Sequence, residues 1–121
     1  GVAEVLKPTN VTIHVVEPAE SPVLGGGQPG PHKIEGVGVG YVPPLYDASL
    51  VDGIEAVATD EARQMARRLA KEEGLFAGTS SGANVIAALR VAERLRPGAR
   101  VVTLLCDSGL KYVNTDVYRI D

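Results

Sequence analysis

The pattern of apolar and polar residues divides the chain into short strand-like runs and longer helix-like segments. Residues 11–17, VTIHVVE, are rich in β-branched residues and stop before Pro18, which predicts a strand. Residues 53–57, GIEAV, predict a second short strand. Residues 100–105, RVVTLL, predict a third, which we expect to be buried.

Two segments place apolar residues at helical spacing. The first begins at Thr59, a suitable N-cap, and ends at Gly74, a suitable C-terminal cap. The second lies within residues 78–98 and ends before Pro97. Strands that alternate with helices predict an α/β fold with a mainly parallel sheet flanked by helices.

A long segment between the first two strands has a composition of its own. Residues 20–44 hold seven of the 14 glycines and five of the eight prolines, which excludes a regular helix. The segment also contains Val37, Val39 and Tyr41, which a disordered linker would lack. We therefore expect a long, ordered glycine- and proline-rich loop that serves in binding.

Composition narrows the class of function. The chain has 121 residues, 45% of them apolar, and a net charge of −3, which fits one globular domain and gives no basis for binding nucleic acid or anionic membranes. No run of residues resembles a membrane span or a secretory signal. One cysteine, Cys106, excludes an internal disulfide. We predict no metal site, and a cytoplasmic location.

Ligands collect at the carboxyl ends of strands in open α/β sheets, and three motifs are expected there. They are the glycine loop, GTSSG at 78–82 and CDSG at 106–109. GTSSG matches the G-x-S-x-G pattern of a hydrolase nucleophile at Ser80. Both histidines precede that serine in the chain, so helix capping by residues 79–81, or support for an anion, is the better interpretation.

The remaining polar positions leave alternatives open. Packing at the end of a strand explains Cys106 better than nucleophilic chemistry does. Asp107 and Ser108 are equally compatible with making a turn and with contacting a ligand. His14 is expected to be structural, and His32 either fixes its loop by a hydrogen bond or has no function. The run GVGVG at 36–40 leads into Tyr-Val-Pro-Pro, where a dinucleotide-binding helix cannot start.

Three stretches together resemble the cysteine synthase family, also called O-acetylserine sulfhydrylases, within the fold-type II pyridoxal-phosphate enzymes. They are EPAESPVLGGGQPGPHKIEGVGVGYVP, GLFAGTSSGANVIAAL and VVTLLCDSGLKY. The resemblance covers essentially the whole chain and is carried most specifically by residues 32–43. It implies that the chain is the C-terminal part of such an enzyme, within its large C-terminal domain.

The resemblance also assigns residues. It places the hydroxyl that hydrogen-bonds the pyridine nitrogen of pyridoxal phosphate on Ser108, and a glycine beside the cofactor on Gly36. A neutral hydroxyl at that nitrogen favours β-replacement. The Schiff-base lysine, the substrate-carboxylate loop and the phosphate-binding turn are expected outside this chain. No catalytic residue is therefore assigned, because none of the chain's lysines matches the family's cofactor-lysine motif: Lys7, Lys33, Lys71 and Lys111.

The function implied for the intact protein is the formation of L-cysteine and acetate from O-acetyl-L-serine and sulfide. The chain by itself is expected to be inactive. A cystathionine β-synthase-like enzyme is one alternative, and a non-catalytic binding module on the same fold is another. The resemblance further implies a homodimer and a cleft that accepts the C-terminal peptide of serine acetyltransferase.

Overall fold

A computed structural model describes residues 1–119 of the chain. It contains a parallel pair of strands with a helix packed against them, so the predicted α/β class is confirmed. Its longer elements and one 3-10 helix near the end follow one another in this order: helix α1 (Val2–Leu6), strand β1 (His14–Pro18), strand β2 (Gly53–Val57), helix α2 (Thr59–Glu73), helix α3 (Thr79–Glu93) and the 3-10 helix Gly109–Tyr112.

Within residues 1–119 the sheet consists of β1 and β2, which pair in parallel with His14 opposite Gly53. The second predicted strand matches β2, but the first was predicted to begin at residue 11 and begins three residues later. The reason lies at Ile13, whose backbone N–H donates to the Asp52 carboxylate over 2.6 Å. That side chain takes the place of a backbone partner, so the ladder starts only after it.

Both predicted helices are present, with one correction at the start of α2. Thr59 is the first residue of the helix, and the N-cap is Ala58. Glu61 stabilises this end, because its carboxylate accepts the Ala58 N–H over 3.1 Å. Gly74 ends the helix at φ +68°, as predicted. Among residues 1–119, no helix has both the length and the apolar character needed to cross a membrane.

Small residues allow α2 and α3 to pack closely. Gly82 of α3 lies directly against the Ala62 carbonyl of α2, where a Cβ would overlap it. Ile34, which belongs to the long loop, is only 1% exposed. The loop therefore contributes Ile34 to the folded core, which contains these buried residues: Ile34, Val57, Ala62, Ala83 and Ala87.

The predicted third strand at 100–105 is wrong for the described part of the chain. This segment pairs with no strand among residues 1–119. It was expected to be buried, yet Val102 is 83% exposed and Leu104 is 66% exposed. The Asn84 side chain of α3 donates to the Leu104 carbonyl over 2.9 Å. A strand requires pairing with a neighbouring backbone, and in residues 1–119 this segment has none.

Acid is expected to destabilise this fold through Glu55. The side chain is nearly buried; burial by itself favours the neutral acid, but hydrogen bonds with Arg94 and His14 outweigh it and lower the pKa of Glu55 below its ordinary 4.5. A carboxyl with a lowered folded-state pKa stabilises the fold above its unfolded pKa. That contribution is lost as the pH falls through the folded-state pKa.

Thermal melting at about pH 7 and about pH 3 measures this effect. We expect Glu55→Gln to lower the melting temperature at neutral pH and to reduce the difference between the two conditions. An unchanged pH dependence in the variant would show that other carboxyl groups dominate acid unfolding.

Candidate cofactor-binding site

Ser108 lies in a turn that is fastened to the segment before α3. Its backbone forms an isolated antiparallel bridge with Ala77. The next residue, Gly109, donates its N–H to the Phe76 carbonyl over 2.9 Å. Gly109 also lies so close to the Phe76 ring that a Cβ there would be 2.5 Å from ring carbons. The backbone on both sides of Ser108 is thereby held in place.

The Ser108 hydroxyl is exposed, and it accepts a hydrogen bond but donates none within residues 1–119. Its oxygen accepts the Leu110 N–H over 3.2 Å, which caps the 3-10 helix Gly109–Tyr112. A hydroxyl also carries one hydrogen that it can donate. The turn therefore presents a neutral donor to whatever lies beyond it. Both interpretations left open for this residue are compatible with the geometry, since the oxygen makes the turn and the hydrogen is free for a ligand.

Asp107 faces a different group, the phenol of Tyr112. Tyr112 is 2% exposed and donates from its hydroxyl to Asp107 Oδ2 over 2.6 Å. Burial and this hydrogen bond raise the pKa of Tyr112 well above its usual range. Gly78 provides the room, because a Cβ there would overlap Asp107 Oδ1. Neither Tyr112 nor Gly78 was singled out from the sequence for this role.

The motif GTSSG stabilises the segment just before the Ser108 turn through a buried serine. Ser81 is fully buried, and its hydroxyl accepts the backbone N–H of Cys106 over 3.0 Å. The predicted capping by residues 79–81 is not observed: the N-cap of α3 is Gly78 and no side chain caps the helix. Ser80 is nearly buried, 6% exposed.

The two histidines are engaged elsewhere in the fold. His14 Nδ1 lies 3.0 Å from Glu55 Oε1, which agrees with a structural role. His32 accepts the Ile34 N–H at Nδ1 and donates from Nε2 to the Gly38 carbonyl over 2.8 Å. His32 therefore fixes its loop, one of the two interpretations left open above. Neither histidine is placed as a base for Ser80.

Cys106 does not pack as predicted, because it is exposed in the described part of the chain. Its sulfur lies 3.4 Å from the Asn84 amide nitrogen and 3.9 Å from the Leu104 carbonyl oxygen. Neither neighbour is a base that could activate a thiol. The exposure has the same cause as that of residues 100–105, since nothing among residues 1–119 covers this edge.

Gly36 lies in a run of left-handed glycines. Gly36, Gly38 and Gly40 have φ angles of +86°, +61° and +83°, a conformation that other residues rarely adopt. A Cβ on Gly38 would lie 2.7 Å from the His32 ring, so this glycine is packed. At Gly36 a Cβ would meet nothing within 4 Å. Gly36 thus keeps its surface open, and its backbone is accessible to a ligand.

Glu17 shapes the base of the same loop, a role that sequence reasoning missed. It is the second-last residue of β1 and is 3% exposed, and its carboxylate accepts the N–H groups of Leu24 and Gly25 over 2.8 and 3.0 Å. A cavity of about 180 Å³ lies between β1, residues 21–24 and the glycine run 36–40. The Glu-Pro pair at the end of the predicted strand was a signal in the sequence for this role. It did not indicate which groups the Glu17 carboxylate would bind.

Lys111 connects the two predicted cofactor-binding positions. Its ammonium nitrogen lies 3.5 Å from Glu35 Oε2, beside Gly36, and 3.7 Å from Asp107 Oδ2, beside Ser108. The pair with Glu35 is exposed on both sides, and in the pair with Asp107 the lysine is exposed while the carboxylate is 27% exposed, so both contribute little to stability. The two contacts show that the residues next to Gly36 and Ser108 both lie within reach of one lysine side chain. Among residues 1–119, no three metal-ligating side chains converge.

A family model described as "Pyridoxal-phosphate dependent enzyme" matches residues 1–107. The chain belongs to this family. Cysteine synthase from Staphylococcus aureus (strain N315) is 46% identical over 123 residues, covering 100% of this chain and 40% of that relative. The chain thus spans less than half the length of this curated member of the family.

Solved structures give the same result for the fold. Cysteine synthase from Entamoeba histolytica superposes with a TM-score of 0.93 at 41% identity, covering 99% of this chain and 36% of that one. An O-acetylserine dependent cystathionine beta-synthase from Helicobacter pylori superposes with a TM-score of 0.84 at 41% identity, covering 90% and 35%. The resemblance inferred from the three sequence stretches is confirmed.

Proposed function

We propose that this chain forms the C-terminal part of a cysteine synthase, whose complete form makes L-cysteine and acetate from O-acetyl-L-serine and sulfide. The observation that carries the proposal is the Ser108 turn. It presents a neutral, exposed hydroxyl on a backbone fastened to residues 76–77. The 46% identity to the Staphylococcus aureus cysteine synthase supports the same assignment.

The residues present fit pyridoxal phosphate in two respects. The Ser108 oxygen already accepts the Leu110 N–H, so the hydroxyl is left to act as a donor, which suits an unprotonated ring nitrogen. The space above Gly36 is open, which suits a planar group close to the backbone. When bound, the cofactor supplies an electron sink for carbanion chemistry at the substrate.

The chain's own contribution is to bind and orient. Ser108 would hold the ring nitrogen without giving it a proton, while Gly36 would leave room for cofactor and substrate. The lysine that carries the cofactor is proposed to lie outside this chain. Ion pairs already engage three lysines of the chain: Lys7 with Asp52, Lys33 with Asp116, and Lys111 with Glu35 and Asp107.

The complete protein, purified with pyridoxal phosphate, tests the proposal. We expect cysteine to form from O-acetylserine and sulfide. No turnover of O-acetylserine with any thiol or sulfide would contradict an enzymatic role and favour the non-catalytic binding module.

Replacing sulfide by homocysteine in the assay distinguishes a cystathionine β-synthase-like enzyme from a cysteine synthase. The cystathionine β-synthase-like alternative is favoured by one observation, the superposition on the Helicobacter pylori enzyme. Faster turnover with homocysteine than with sulfide would support it. Comparable protein concentrations and the same O-acetylserine concentration make the two rates a direct measure of specificity.

We further propose a cytoplasmic homodimer that binds the C-terminal peptide of serine acetyltransferase, on the basis of the family resemblance. Sedimentation of the complete protein measures the oligomeric state. Titration with that peptide, followed by displacement with O-acetylserine, tests whether the peptide occupies the substrate cleft. Binding that O-acetylserine leaves unaffected would contradict a shared site.

A further inference from the structure

Asp107 and Ser108 are adjacent in the chain, yet their side chains occupy different surroundings. Ser108 is exposed, with extended backbone angles of φ −80° and ψ 143°. In extended backbone, neighbouring side chains point to opposite sides. The Asp107 carboxylate accordingly lies inward, against Gly78 and the Tyr112 phenol.

The inward position of this carboxylate depends on few contacts. Oδ2 accepts the Tyr112 hydroxyl over 2.6 Å and lies 3.7 Å from the Lys111 ammonium. Oδ1 is buried and has no hydrogen-bond partner among residues 1–119. A buried carboxylate oxygen without a donor is unfavourable. The side chain as a whole is 27% exposed, and among residues 1–119 the Tyr112 phenol is its side-chain hydrogen-bond donor, beside the ion pair with Lys111.

We propose that Tyr112 is a positioning residue for the cofactor site, which holds the Asp107 carboxylate away from Ser108 so that the ring nitrogen meets only a neutral hydroxyl. This inference rests on the proposed function, because it assumes that Ser108 faces that nitrogen. Gly78 contributes the space that the inward carboxylate occupies. Tyr112 and Gly78 thus keep the charged Asp107 carboxylate apart from the neutral Ser108 hydroxyl, although these two residues are adjacent in the chain.

The distinction matters for the chemistry. A carboxylate close to a pyridine nitrogen stabilises its protonated form, whereas a hydroxyl donor stabilises the unprotonated form. The protonation state tunes how strongly the cofactor withdraws electrons. Without the Tyr112 hydroxyl, the carboxylate regains hydration by turning to the exposed side, where Ser108 lies.

Tyr112→Phe in the complete protein loaded with pyridoxal phosphate tests the inference. The readout is the absorbance of the bound cofactor as a function of pH, measured without substrate. We expect the midpoint of its titration to rise by about one pH unit and cofactor affinity to fall about tenfold. A spectrum and titration identical to those of the unaltered protein would overturn the proposal.

Tyr118→Phe is the matched control. Tyr118 is a half-buried tyrosine of this region, and its hydroxyl donates to the Ala77 carbonyl and not to Asp107, so it supports the same turn without holding the carboxylate. We expect it to leave the titration midpoint unchanged, even if it lowers stability. A shift equal to that of Tyr112→Phe would mean that general loosening of the turn is the cause, and would overturn the role of the carboxylate.

A second substitution isolates the charge. In Asp107→Asn the side chain is neutral, so adding Tyr112→Phe to it should leave the titration midpoint unchanged. This comparison also replaces the single variant if Tyr112→Phe alone does not fold. A midpoint that still shifts between D107N and the double variant would contradict the inference. Failure of the unaltered protein to bind pyridoxal phosphate at all would instead overturn the proposed function.

Discussion

Ser108→Asp is expected to lower the cysteine-forming activity of the complete protein on the order of 100-fold, because a charge at this distance from a ring nitrogen outweighs a single hydrogen bond. The substitution places a carboxylate where the structure has a neutral hydroxyl donor. That carboxylate stabilises a protonated ring nitrogen and changes the electronics on which β-replacement depends.

Ser108→Ala separates loss of the hydroxyl from gain of charge. It removes one hydrogen bond to the cofactor, so we expect about a tenfold loss of activity. Asn114→Asp adds the same charge at an exposed position in the following segment and should leave activity within about twofold. Equal activities of S108D and S108A would show that charge at this position is unimportant and would contradict the assigned role of Ser108.

Gly82→Ala is expected to destabilise the protein, although alanine is the better helix former. Helix propensity alone predicts a gain of up to about 1 kcal/mol in the free energy of unfolding. The structure predicts a loss of about 1–3 kcal/mol, because the added Cβ would overlap the Ala62 carbonyl and lie 2.9 Å from the Ala66 nitrogen. The neighbouring atoms are backbone and cannot rotate away.

The sign of the change therefore decides between the two predictions. Thermal melting of the variant should show a lower midpoint, by about 2–8 °C per kcal/mol over domains of roughly 60–250 residues. Gln64→Ala, at an exposed position of α2, is the control and should stay within about 0.5 kcal/mol. A higher melting temperature for G82A would mean that the two helices are not in close contact.

Local patterns predicted the elements that depend on local interactions. The helices follow from apolar spacing, and the end of α2 follows from Gly74, whose φ of +68° glycine adopts without strain. The predicted N-cap was one residue late: the Thr59 hydroxyl accepts the Lys33 N–H, while the carboxylates of Glu61 and Glu20 accept the N–H groups of Ala58 and Thr59. Such choices between neighbouring donors and acceptors are settled by geometry that a linear pattern does not contain.

The exposed segment 100–105 shows a limit of a different kind. Its β-branched and apolar residues are typical of a buried strand. Whether the segment is buried and paired, however, depends on a second segment that lies against it. Among residues 1–119 that neighbour is absent, so the side chains of Val102 and Leu104 remain exposed. Cys106 was assigned to packing for the same reason and is exposed for the same reason.

The sequence by itself determined the α/β class, both long helices, the shaped glycine loop and, through its resemblance to a family, the importance of the turn at Ser108. Only the tertiary structure decided that Asp107 faces inward to Tyr112 while Ser108 faces outward. The physical reason is that the conformation of a backbone depends mostly on adjacent residues, whereas the partner of a buried carboxylate depends on which segments the fold brings together.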